Sequence, residues 1–584
     1  MQYTRYHRTL GLGLAALLAL AGCGKSADDE GAALLASDLT VLRYVPADSP
    51  YVLAALRPLP DDLLDVMEPK LDRVLRSYQS LLRHTVASAL REGAGDGPDA
   101  EELERIMTVV DELTTLLSIE GLRAAGIERD ATFVFYGHGL LPVLRMTLSD
   151  PAAFEAAINR VETRAGEGLS RRSIEGQAVR EIEAEQVRVL FAVVDGQFVA
   201  TAAPVAFDDA QLGRLLGLTL PAENVADART LLELAERYDY TEHFVGFVDI
   251  RRLTEVFVGE PAGLDAELLE VTGINAARPP LSDVCRAEFR RVAAIAPRIA
   301  MGYNDVTTEV LATHAIVEVR DDLAAGLATL PAAVPGLGID AGGLLSFGMS
   351  LNLRAARDFY EARLDALEAE PYECEQLVPL MAGIAAGRQA LQQPVPPMVY
   401  DFRGFTAVVT SLEGMDLATN QPPTRVDGRL LLAMDNAPAL VSLGQMFSPE
   451  LAGLALEPNG DAVPLELPQL AALGGSAQVA MTNDAIAVSV GADDAPALER
   501  MLEAEAGAPG TLLAFGMDAG RYYGFIGQAM ALEADEPGEE MPPEVEAAVT
   551  EMMAALSELY GRMTTSVRLT PRGVEMDSRV TLKE

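Results

Sequence analysis

FAVVDGQFVAT (residues 191–201) and VAMTNDAIAVS (residues 479–489) are two copies of one pattern. In each, side chains alternate with a period of two on either side of a two-residue break, Asp195-Gly196 in the first and Asn483-Asp484 in the second. Alternation of that period is the signature of a strand, and Asp-Gly or Asn-Asp between two such runs is the chemistry of a tight hairpin. The similarity continues downstream. Asp208, Asp209 and Ala210 open a short apolar helix through Arg214, Leu215 and Leu216; Asp493, Asp494 and Ala495 open another through Arg500, Met501 and Leu502, with one residue inserted.

Reading outward, the flanking segments keep the same order. A strand from Arg145 runs into Asp150-Pro151, a helix cap followed by a first-turn proline, and LLLAMDNAP (430–438) is its counterpart. The strand from Phe244 to Asp249, with Arg252 three residues on, matches Leu513 to Asp518 with Arg521. Hairpins from Ile299 to Val319 and from Thr565 to Leu582 close the two stretches, and LLSFGMS (344–350) nearly repeats LLAFGMD (512–518); YVLAAL (51–56) is a weaker fourth copy. Strands linked by hairpins and separated by short helices define an α+β fold. The expected architecture is two duplicated lobes, residues 41–330 and 331–584, each of mostly antiparallel sheet with helices packed on one face. Helical insertions are expected at Asp61 to Arg91, broken at Pro69, and at Glu101 to Leu117; the acidic run Glu533 to Pro543 reads as a solvated loop.

Before the first lobe, Arg5 and Arg8 precede an apolar run from Leu10 to Leu20 that ends in Leu20-Ala21-Gly22-Cys23. The run is too short to span a bilayer, and small residues sit where a peptidase must grip the backbone. This ending resembles the lipobox of bacterial lipoproteins. The resemblance implies removal of residues 1–22 as a signal peptide, modification of Cys23 with a lipid such as palmitate, and a membrane anchor. Residues 23–40, small, polar and acidic, then form a tether. Gly24 after the cysteine implies delivery to the outer membrane, on its periplasmic side. LRYVPADSPYV (42–52) is similar to the start of uncharacterised Gram-negative envelope lipoproteins with an Ala-rich, two-lobed mature region.

Composition bounds the function. A net charge of −42 repels phosphate backbones and anionic headgroups, so nucleic acid is not an expected partner. Tryptophan is absent and aromatics make up 5%, which leaves little for a stacking platform. Beyond Cys23 the only cysteines are Cys285 and Cys374, an isolated pair that in an oxidising compartment is most simply a disulfide. His84, His138, His243 and His314 are scattered and form no metal motif. No nucleophile elbow or Walker string occurs; Gly336-x-Gly338 precedes a strand instead of following one. Ser350 reads as a helix cap, Asp249 and Asp518 as equivalent caps, and Met530, Met552 and Met553 as core. No catalytic residue, metal or cofactor is assigned. The expected function is a lipid-anchored periplasmic protein with a non-catalytic binding or scaffolding role toward an envelope protein, a glycan or a lipidic ligand. The alternative is a hydrolase using carboxylates in a cleft between the lobes, which a convergent carboxylate pair with one raised pKa would favour.

Overall fold

The computed structural model describes residues 40–92, 100–165, 169–184, 186–273, 281–414, 424–466, 476–491, 495–533 and 542–583. The expected N-terminal anchor, Asp493, Asp494 and most of the Glu533 to Pro543 run lie outside the described residues. Ten strands come first: β1 (Tyr51–Ala55), β2 (Phe133–His138), β3 (Leu141–Thr147), β4 (Ser170–Ile174), β5 (Gln177–Ala184), β6 (Val187–Val194), β7 (Gln197–Pro204), β8 (Val245–Asp249), β9 (Arg298–Val306) and β10 (Val310–Glu318). Nine follow: β11 (Leu345–Ser350), β12 (Phe402–Glu413), β13 (Arg425–Met434), β14 (Val463–Pro464), β15 (Ser476–Met481), β16 (Ala485–Gly491), β17 (Thr511–Asp518), β18 (Tyr560–Thr570) and β19 (Gly573–Leu582).

All of them belong to one antiparallel sheet. Its middle is the β10–β19 pair, nine residues in register from Val310↔Thr581 to Glu318↔Gly573. Outward from β10 the order is β9, β8, β1, β2, β3, β7, β6, β5, β4. Outward from β19 it is β18, β17, β11, β12, β13, β16, β15, β14. The fold is therefore α+β with a large antiparallel sheet.

Local chemistry accounts for the turns and helix starts. Asp195 and Gly196 turn the β6–β7 hairpin with φ of 51° and 77°, the doubly left-handed turn that suits right-twisted strands. Asn483 and Asp484 turn β15 into β16 without positive φ, so the second hairpin uses a different turn. Asp208 and Gln211 form a reciprocal capping box. Asp150 Oδ1 accepts the N–H groups of Ala152 and Ala153. The helix Asp61–Glu92 is continuous through Pro69, contrary to the expected break. Pro69 and Asp65 are both exposed, so the carbonyl that the proline deprives of a donor faces water.

One face of the sheet carries the principal core: Val52, Val134, Val143, Val199 and Phe247 pack against Leu212, Leu215, Leu231 and Leu234 from helices Asp209–Leu215 and Thr230–Tyr238. In the last third of the chain the same face buries Leu431, Ala433 and Ala487 against Val334, Leu337 and Leu498. Helices are not confined to that face. Met146 and Phe198, which point the opposite way from Arg145 and Val199, pack with Phe154 of the helix Pro151–Ala165. A cluster on one face cannot cover the alternate residues of the same strands, and those are apolar too.

Residues 41–45 seal the core as the chain enters it. Val41, Leu42, Tyr44 and Val45 are buried. The Tyr44 ring lies 3.5 Å from the guanidinium carbon of the fully buried Arg145, and its hydroxyl donates to Asp195 at 2.6 Å. Arg145 also donates to the Leu216 carbonyl at 2.6 Å and to Gln197 at 3.0 Å, so its charge is solvated by dipoles and a π face.

Cys285, in the helix Asp283–Ala293, and Cys374 are joined, with Cα atoms 4.7 Å apart across a sequence separation of 89. The bond ties the segment before β9 to the segment between β11 and β12.

Candidate functional site

Asp249 sits at the end of β8, where its Oδ1 accepts the Arg252 N–H at 3.0 Å and caps the helix Ile250–Val258. Asp518 ends β17 and accepts the Arg521 N–H at 3.0 Å, at the start of the helix Ala519–Glu533. Ser350 is not a cap. It is fully buried and donates to the Thr511 carbonyl at 2.7 Å, while Asn352 two residues on caps the following helix. β11 ends at Ser350 as β17 ends at Asp518, but Leu351 and Asn352 intervene before the helix Leu353–Ala369, which moves the cap to Asn352.

Asp249 and Arg252 also line a cleft of about 550 Å³ together with Asp48, His138, Glu255 and Asp265. The turn from β2 into β3 positions two of these. Gly139 takes φ of +61°, and a Cβ there would collide with the Asp265 carboxylate, so only glycine lets Asp265 reach the Leu140 N–H at 2.7 Å. Burial raises the Asp265 carboxyl above its ordinary value; the Asp48 charge adds to this and the Leu140 N–H opposes it. Burial pushes the His138 imidazole below its ordinary value, against the pull of Asp48, and Nδ1 is buried without a hydrogen-bond partner among the described residues. The remaining groups are committed to structure. Arg252 donates to the Ala47 and Ser49 carbonyls at 3.0 and 2.9 Å, and Glu255 pairs with Arg290 at 2.7 Å. The cleft lies within the first half of the chain, not between two lobes.

A second polar cluster crosses the β10–β19 seam. Glu575 is completely buried; Arg568 and Arg572 each reach it at 2.9 Å, Thr570 donates to it at 2.7 Å, and His314 Nε2 is 3.6 Å away. Tyr240 OH lies 2.9 Å from His314 Nδ1, which carries the network into the core of the first half. Burial alone would raise the Glu575 carboxyl, but His314, Thr570 and Arg572 outweigh it and hold the group down at about 2. This arrangement is an ion-paired weld.

The largest feature is apolar. On the face opposite the main core, one row of directly opposed residues crosses sixteen neighbouring strands, from Phe191 on β6 to Met481 on β15, without a polar side chain. Its middle runs Met576, Val567, Leu513, Met349, Phe405, Leu432. The parallel row beside it contains Phe515, Phe347 and Leu430, which are 43%, 44% and 38% exposed; Met576 is 46% exposed. On the reverse side of the same strands Gly348, Thr406, Val408, Leu431 and Gly516 are buried. On that side, where the loop Gly336 to Ala341 crosses the strands, a trough of about 250 Å³ is floored by small residues such as Gly348 and Ala514.

Of the histidines outside the cleft and the seam, His84 contacts Ser88 within its own helix and His243 contacts the Arg57 carbonyl. Met552 and Met553 are partly buried in the helix Pro543–Leu559. Among the described residues, no group of three or more His, Cys, Asp or Glu could hold a metal, and no helix is long and apolar enough to cross a membrane. No family model, curated protein or solved structure matches this chain.

Proposed function

We propose that this is a lipid-anchored envelope protein, tethered by acylated Cys23 to the periplasmic side of the outer membrane, whose two duplicated lobes serve a non-catalytic binding role. The observation that carries the binding role is the apolar face. A soluble protein rarely leaves an apolar patch of more than a few hundred Å² uncovered, and patches that persist mark contact sites. What supports the duplication is the strand order. Taken outward from the middle pair, β10, β9, β8, β1, β2, β3, β7 and β6 correspond one for one, in both space and chain order, to β19, β18, β17, β11, β12, β13, β16 and β15. Asp249 and Asp518 then occupy equivalent corners. The anchor rests on the lipobox alone. The wild-type chain is expected to take up labelled fatty acid and fractionate with the outer membrane, and Cys23→Ser to accumulate as unlabelled precursor. Labelling of the mutant at wild-type level would overturn the anchor.

A second reading, a hydrolase, is favoured by one observation: Asp265, with its raised carboxyl, shares a cleft with Asp48 and the partly buried His138. Two carboxyls in one cleft, one of them raised by burial, is the pairing that general acid–base chemistry uses. Asp265→Asn is expected to leave the protein's hydrolytic background on ester, peptide and glycoside substrates unchanged. Loss of a reproducible activity in that variant would replace the binding role with this one.

A further inference from the structure

We infer that the apolar face binds acyl chains of lipid, laid across the strands; this rests on the binding role proposed above and names its ligand. The chemistry of the row excludes other classes in turn. Every backbone donor and acceptor of these strands points along the sheet into the ladder, so a bound peptide could not add to it as an extra strand. Glycans and nucleic acids need hydrogen-bonding or charged groups, and the row offers neither. Area argues against a protein partner. The three adjacent rows through Leu345, Phe347 and Met349 span seven strands from β19 to β16 and are apolar apart from Thr565 and Ser578, whose hydroxyls bond each other at 2.9 Å. Strands about 4.8 Å apart and same-face residues about 6.8 Å apart make this roughly 400–700 Å². That is less than the roughly 800 Å² each partner contributes to a standard protein interface. It is ample for a flexible hydrocarbon chain; toward its ends the row is covered, with Leu144, Ala200 and Met481 buried, so the open part is the stretch from β19 to β16. Met576, Met349, Met517 and Met563 on this face supply unbranched, polarizable side chains that adapt to a ligand without fixed shape.

The test uses the full chain in cells fed an alkynyl fatty acid, with a photoreactive phenylalanine analogue replacing Phe347 and, as a control on the opposite face of the same strands, replacing the buried Thr406. Irradiation is expected to place an alkynyl lipid adduct on the peptide containing position 347, separate from the label at Cys23, and not on the one containing 406. Adding Phe515→Asp, or Phe515→Ser where the aspartate variant fails to accumulate, is expected to reduce that adduct about tenfold while the circular dichroism of the purified protein stays unchanged. An adduct to another protein or to a second copy of this chain would overturn the lipid assignment and keep the binding role. No adduct at 347 above the level at 406 would overturn the binding role itself.

Discussion

Glu575→Ala is expected to lose about 1–3 kcal/mol of stability, because it removes a buried carboxylate with charge-assisted hydrogen bonds to Arg568 and Arg572. Arg572 would lose its carboxylate and Arg568 would keep only Asp577, and both are anchored on the terminal hairpin that pairs with β10. The loss should therefore fall on the seam between the halves. Acidification should mimic the substitution. Glu575 is held at about 2 against an ordinary glutamate value near 4.5, so its contribution is fully present above about pH 4.5 and disappears as pH falls toward 2. Urea midpoints measured at pH 7, 4.5 and 2.5 should converge between wild type and Glu575→Gln at the lowest pH. If the two proteins differ equally at all three, Glu575 is not the titrating group and the weld lies elsewhere.

How much of this was legible in the sequence depended on how local the signal was. Asp195-Gly196, the Asp208 cap and the cysteine pair are each decided by a few residues or by elimination, and the structure places them as the residue chemistry requires. The open apolar face had a signal that was passed over. LLAFGM (512–517) is apolar at both alternate positions, and FTAVV (405–409) and LSFGM (345–349) depart from that only at Thr406 and Ser346, a pattern that marks two apolar faces and not one solvated side. For that reason the expectation of helices on one face failed. The cleft and the seam could not be read at all. His138 and Asp265 are brought together by a glycine turn and a distant helix, and the β10–β19 pairing joins two hairpins more than two hundred residues apart, neither of which carries a local mark of its partner. Long-range register is set by which rows of side chains meet, and a single strand's alternation does not say which neighbour it meets.

The disulfide makes the other large prediction. Closing a loop of 89 residues restricts the unfolded chain by about 4–5 kcal/mol on the chain-entropy account, so Cys285→Ser/Cys374→Ser is expected to lose up to that amount. The folded arrangement should survive. Glu288 holds the same junction independently, its carboxylate accepting the Glu373 N–H at 2.8 Å and the Cys374 N–H at 2.9 Å, and these bonds, that from Glu373 foremost, draw its carboxyl below the ordinary value. Leu377, Phe289 and Val292 pack around the pair whether or not the sulfurs are joined. The halves would also stay connected through the nine-residue β10–β19 ladder. The double variant should thus show native circular dichroism with a lowered urea midpoint, and adding Glu288→Ala should then loosen the junction enough for limited proteolysis between residues 370 and 380. Titration of free thiols in protein taken from an oxidising compartment decides the premise. Two reactive thiols on unfolding without reductant would mean that Cys285 and Cys374 lie close without being bonded, and the stability loss in the double variant would then shrink to that of two small buried substitutions.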